Sequence, residues 1–209
     1  MYEFTPIGWL KHCIFHPVEG FEDLRWKKQG SMRISLTIVF FLFVAMVADH
    51  QMTGFQFNQN YVKIFNVVPL VVQSVVYYFT WCVGNWSICT LLEGEGTFRK
   101  ICIYSAYSLV PYIVCTLIKV VLSNFLVQEE AIWITALTYL GFGWSIVLMI
   151  SAMKAVHQYS LTKTLVSILL TLVAMLLILF LAILLLSLFQ QVYVFVYTIY
   201  TEIAYRIRG

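Results

Sequence analysis

Few residues of this 209-residue chain have the type and spacing that chemistry requires. His12, Cys13 and His16 would bring two imidazoles within one helical turn with a thiol alongside, a partial nitrogen–sulfur metal site. No fourth ligand stands near them and Pro17 disfavours helical backbone at His16, so they read as juxtamembrane packing and no metal is expected. A serine nucleophile needs a base and an orienting acid at its own depth. Asp23, Asp49, His50 and His157 sit on opposite faces or in separate loops, and no GxSxG elbow occurs. Gly94 and Gly96 sit between carboxylates that would repel phosphate, which points to a tight turn rather than a nucleotide loop. Neither catalysis nor a cofactor is expected.

A charge held inside lipid costs several kcal/mol and marks function by default. Asp49, Glu93, Glu95, Glu129, Glu130, Lys154 and Lys163 all fall at the edges of apolar runs. Only Lys119 lies well within one, and its long stem lets it snorkel outward. The uncharged candidates for a polar site at membrane depth are Gln73, Asn85, Ser87, Ser105 and Ser108, with interhelical hydrogen bonding as their simplest role. Asn85, Ser87, Tyr107 and Tyr112 around a kink at Pro111 would suit a path for an uncharged solute. On the polar surface, Glu93, Glu95, Arg99 and Lys100 form a compact charged patch, which with Phe21 and Trp26 could dock a partner; the alternative is a solvated turn.

The elements that position these residues are membrane helices. With 61% hydrophobic and 11% charged residues, the chain has more apolar surface than a soluble core of this size can hide. Sparse lysines and arginines with no basic stripe argue against nucleic acid. Five single cysteines suggest no disulfide framework, and the N-terminus lacks a cleavable signal layout. Residues 1–33 read as a polar juxtamembrane segment whose latter half, Val18 to Gln29, suits a short interfacial helix with Phe15, Phe21, Leu24 and Trp26 as apolar contacts. Residues 34–189 hold five spans. The first, Ile34 to Ala48, is short and gains length by extension back to Ser31. The second runs from Val67 to Leu92, and Thr97 is placed to cap the third, Ile101 to Leu126. The fourth, Ala131 to Met153, carries Gly141 and Gly143, which would let a neighbouring helix approach closely. After a break at Lys154 to Lys163 comes the fifth, Thr164 to Phe189. Residues 190–209 keep an apolar stripe at Val192, Phe195, Val196, Ile199 and Ile203, the pattern of an interfacial helix. The fold class is all-α, polytopic, with a C-terminal helical extension.

Lysine and arginine placement sets the orientation, because cytoplasmic loops carry the excess. With the N-terminus inside, Lys11, Arg25, Lys27, Lys28, Arg33, Arg99, Lys100, Lys154 and Lys163 are cytoplasmic, against Lys63, Lys119, Arg206 and Arg208 outside. N-terminus in and C-terminus out is the consistent topology.

Two stretches carry a family likeness: FHPVEGFEDLRWKKQGS before the first span, and NWSICTLLEGEGTFRKICIYSAYSLVPYIV across the second and third. They resemble the Yip domain family, the Ypt/Rab-interacting membrane proteins and their bacterial relatives, at Pro17, Phe21, Gly94, Gly96, Phe98, Tyr107 and Pro111. The likeness implies five helices behind a cytoplasmic segment. The long cytosolic N-terminal domain and DLYGP-like motif of the eukaryotic trafficking members are absent, so Rab binding and a Golgi address are not implied. The chain is more similar to the bacterial branch, whose members are often encoded beside carbohydrate ABC transporters. The resemblance therefore implies an accessory protein of the cell membrane whose partner is a membrane protein such as an ABC transporter permease. The competing expectation is the channel or carrier for an uncharged small solute.

Overall fold

A computed structural model describes residues 5–27, 30–58 and 65–208. Lys28 and Lys63, both used in the charge comparison, lie outside them, as does much of the loop after the first span. Helix α1 is Pro6–Phe15 and α2 is Pro17–Trp26; α3 is Met32–Gln51, α4 Val67–Leu91 and α5 Phe98–Leu122. Helix α6 covers Ala131–His157 and α7 Leu161–Arg208. Five of these, α3 to α7, are long and apolar enough to cross a membrane. The all-α polytopic reading holds.

Local sequence explains the boundaries. Pro17 forces its predecessor out of the α-region, and at His16 (φ −125°, ψ 75°) the chain turns between α2, which takes the place of the expected interfacial helix, and an additional helix, α1, before it. Thr97 does occupy the N-cap of α5, with extended backbone, but its side chain makes no capping bond. Helix α5 breaks at Leu109, between Phe98–Ser108 and Val110–Leu122. The cause is Pro111, which has no N–H for the carbonyl of Tyr107; the following amide, Tyr112 N–H, turns to Ser145 Oγ of α6 at 3.1 Å. Helix α4 contains a π turn at Val72–Val76, where Ser74 Oγ donates to Leu70 O at 2.7 Å.

Helix α5 is the centre. Every residue from Ile101 to Ser108 is buried, as an all-round buried helix must be, with α3, α4 and α6 packed about it. Trp9, Cys13, Phe21 and Leu24 of the N-terminal hairpin join the same core as Tyr104, Tyr107 and Met153. Residues 1–33 are therefore not a separate surface segment in their described part, because burial of Phe21 and Leu24 against α5, at about 1.5–3 kcal/mol each, fastens the hairpin to the bundle. Two further boundaries move. Lys154 to His157 stay helical rather than forming a break, and α7 runs unbroken for 48 residues through the junction expected at Gln190.

Lys119 does not simply reach for water. Its Nζ lies 2.5 Å from Asp49 Oδ1, joining α5 to α3 at the end of the bundle remote from the N-terminal hairpin. Of the two glycines in α6, only Gly141 touches a neighbour: a Cβ there would sit 2.6 Å from Cys115 Cβ, whereas Gly143 has nothing within 4 Å. All five cysteines are free and buried.

Candidate functional site

The densest polar assembly lies at the hairpin end, around the turn joining α4 to α5. Helix α4 closes with Gly94 N–H donating to Cys89 O at 2.7 Å, and Glu93 takes the left-handed conformation (φ 59°) that this closure demands. The turn is thereby laid across the C-terminus of α6. A Cβ on Gly94 would meet His157 Nδ1 and Tyr159 Oη at 2.6 Å each; one on Gly96 would meet His157 Cε1 at 2.5 Å. Only glycine lets backbone approach the imidazole this closely.

His157 is 2% exposed. Its Nε2 lies 3.0 Å from Asn85 Oδ1, Asn85 Nδ2 donates to Thr171 Oγ1 at 3.2 Å, and Thr171 Oγ1 donates to Ser167 O at 2.7 Å. Because the Asn85 amide nitrogen is committed to Thr171, its oxygen accepts, which assigns the ring proton to Nε2. Nδ1 then holds a lone pair with no partner among the described residues. The chain of bonds ties α6, α4 and α7 together. Chemically it can fix a neutral imidazole, and the glycines facing Nδ1 leave no room for a substrate.

Around this core the N-terminal hairpin acts as a clasp. Arg25 Nη1 donates to Ala155 O in the last turn of α6 at 2.9 Å, where a cation also complements the helix dipole, and Nη2 pairs with Glu95 of the turn. Glu22 lies 4.0 Å from Lys154, and His12 Nε2 lies 3.3 Å from Asp23 within the hairpin. Tyr159 Oη donates toward Cys89 O and Leu92 O, both at 3.2 Å, and Lys163 Nζ stands 4.4 Å over its ring. Burial first, then Cys89 and Glu93, pushes the Tyr159 phenol up to about 12. Burial and the Asp23 carboxylate push the Cys13 thiol up to about 12.

With this arrangement in view, the family match can be placed on it. The Yip1 domain family model matches residues 11–200, from the second half of α1 through the turn and the spans to within α7. The chain belongs to the Yip1 domain family. No curated protein and no solved structure matches it.

The turn of this Yip1 domain contains the Gly94 and Gly96 of the family likeness, and their structural reason is the ring of His157. Several expected site residues separate. Phe21 is fully buried against Tyr104, ring centroids 5.6 Å apart, so it cannot meet a partner. Glu95 is engaged by Arg25, while Trp26, Glu93 and Arg99 stay exposed, and Arg99 and Lys100 border a hollow of about 230 Å³ with Thr97 and Tyr104. The solute path is not assembled: Asn85 faces His157 and Thr171, Ser87 is exposed, Tyr107 Oη receives Ser31 N–H at 3.4 Å, and Tyr112 lies beside Ser145 at the Pro111 break. Ser105 accepts from Trp81 Nε1 at 3.1 Å, and Ser108 Oγ bonds back to Ser105 O. Sequence reading missed His157 as a partner of Asn85. The available signal was a histidine in the last turn before a helix end, opposite a paired-glycine turn.

Proposed function

We propose that this Yip1-domain protein is a non-enzymatic accessory or scaffold protein of a bacterial cell membrane, with its N-terminus cytoplasmic and C-terminus outside, that binds another membrane protein. The observation that supports the reading is α7. At 48 residues it is about 72 Å long, against a hydrocarbon thickness of about 30 Å. Every residue from Phe180 to Tyr200 is exposed, including Val192, Phe195, Val196 and Ile199. The part of that surface beyond the reach of lipid needs a protein to cover it, since an apolar patch of this extent is not kept in water. A carbohydrate ABC transporter permease fits as the partner, offering its own apolar helix face. The exposed Trp26 and Arg99, with the half-buried Lys100, supply a second contact at the opposite end.

Mild-detergent purification of the full chain from its native membranes, followed by mass spectrometry, tests this. One membrane protein should co-purify in constant ratio and be lost when the chain is ended after Gln191. Repeated purification of the intact protein alone, or with a second copy of itself only, would reject the reading.

A further inference from the structure

Between α3, α4, α5 and α6, at the end opposite the hairpin, two hollows share Met46, Gln73 and Tyr112. One, of about 400 Å³, is bordered by Asp49, His50 and Thr116; the other, of about 360 Å³, continues past Leu42, Phe142 and Ile146. Together they form one crevice, polar at its mouth and apolar at its base, within the size of small-molecule sites. We infer that this crevice binds a bilayer amphiphile with an uncharged, hydroxyl-bearing head, its head at Gln73 and its chain along Leu42, Phe142 and Ile146.

Three observations carry the assignment. First, Gln73 is exposed in the π turn of α4, six residues or about 9 Å inside the span, and its amide has no hydrogen-bonding partner among the described residues. An unsatisfied polar group at membrane depth costs several kcal/mol, so a hydrogen-bonding partner from outside the chain is required. Second, the crevice lies where two helices depart from α-geometry, the π turn of α4 and the Leu109 break of α5. Irregular backbone at such depth is kept where it lines a cavity, and π turns recur at functional sites. Third, the mouth is electrically balanced, because Asp49 is answered by Lys119 Nζ at 2.5 Å. A phosphate head would meet the Asp49 carboxylate that borders the mouth, and a cationic head would have to displace Lys119 from that carboxylate. A hydroxyl both donates and accepts, matching the two ends of the Gln73 amide.

The test uses the full chain in phosphatidylcholine vesicles with a diacylglycerol carrying a photoreactive group on its acyl chain. Irradiation followed by peptide mass spectrometry should place the label on the segments holding Leu42 and Phe142–Met149 above the per-residue level on the exposed face of α7, Leu176–Leu186. Gln73→Leu should lower crevice labelling by about three- to tenfold, the worth of one hydrogen bond, and leave α7 labelling unchanged. Excess unlabelled diacylglycerol should compete, and phosphatidic acid should not. Crevice labelling in the unmodified protein no higher than on α7 would overturn the site, as would labelling indifferent to Gln73→Leu. Equal competition by phosphatidic acid would overturn the head assignment. Should Gln73→Leu fail to fold, Ile146→Trp, which fills the base from a half-exposed position, takes its place with the same expected loss.

Discussion

Gly96→Ala should damage the protein out of proportion to one methyl group. The new Cβ would lie 2.5 Å from His157 Cε1, where carbon atoms normally keep about 3.5–4.0 Å, so the ring must withdraw by roughly 1 Å. It cannot do so freely, because its Nε2 is held 3.0 Å from Asn85 and Asn85 is held by Thr171. Overpacking costs about 1–3 kcal/mol, and stretching a buried hydrogen bond past its useful range adds about 1 kcal/mol, giving about 2–4 kcal/mol in all. For a chain of this size that corresponds to a midpoint lowered by roughly 4–16 °C. The five buried free cysteines provide the readout: a fluorogenic thiol reagent in mild detergent reports unfolding during a thermal ramp. The companion variant is His157→Ala, which removes the ring and leaves Val156 Cγ1, also 2.5 Å from the added Cβ, beside the space the ring vacates, into which the turn can shift. In that background Gly96→Ala should cost under about 1 kcal/mol, a coupling of at least about 1 kcal/mol. A Gly96→Ala protein that melts with the parent, or that loses equally with and without the His157 ring, would refute the seating of the turn on the imidazole.

Four other outcomes follow from the same geometry. Glu93→Gly should raise stability by about 1 kcal/mol, since a side chain at φ 59° carries a left-handed penalty, and an unchanged thermal midpoint would mean the strain is absent. Gly141→Leu should lower the midpoint by several degrees whereas Gly143→Leu should leave it within about 0.5 kcal/mol of the parent, because only the first meets Cys115; equal effects would dismiss the α5–α6 contact. Lys119→Ala should cost about 1 kcal/mol and the exchange Asp49→Lys with Lys119→Asp should recover part of it, measured in the same thermal ramp at low salt. With Cys13 raised from near 9.0 and Tyr159 from near 10.0, each to about 12, both are protonated in the folded state where the unfolded chain has already ionised. Their contribution is complete below pH 9 and is lost as pH rises toward 12, so unfolding midpoints should fall across that window; a flat profile would contradict the burial of both groups.

The amino-acid sequence by itself settled the five spans, the all-α class and the family, because hydrocarbon tolerates few charges and demands helices of a fixed minimum length. It also located helix ends governed by local chemistry: the start of the first span at Ser31, Thr97 at the N-cap position of the third, non-helical backbone before Pro17 and a break at Pro111. What it could not supply is which face of a span meets which neighbour, since lipid and protein both accept leucine and periodicity is lost when a helix is apolar all round. Tertiary packing alone therefore decided that Phe21 is core rather than contact, that Asn85 serves His157 rather than a solute, and that Lys119 answers Asp49. It also decided that Gln73 is left without a partner among the described residues beside an open crevice, because that depends on four helices meeting and two of them departing from α-geometry at one level.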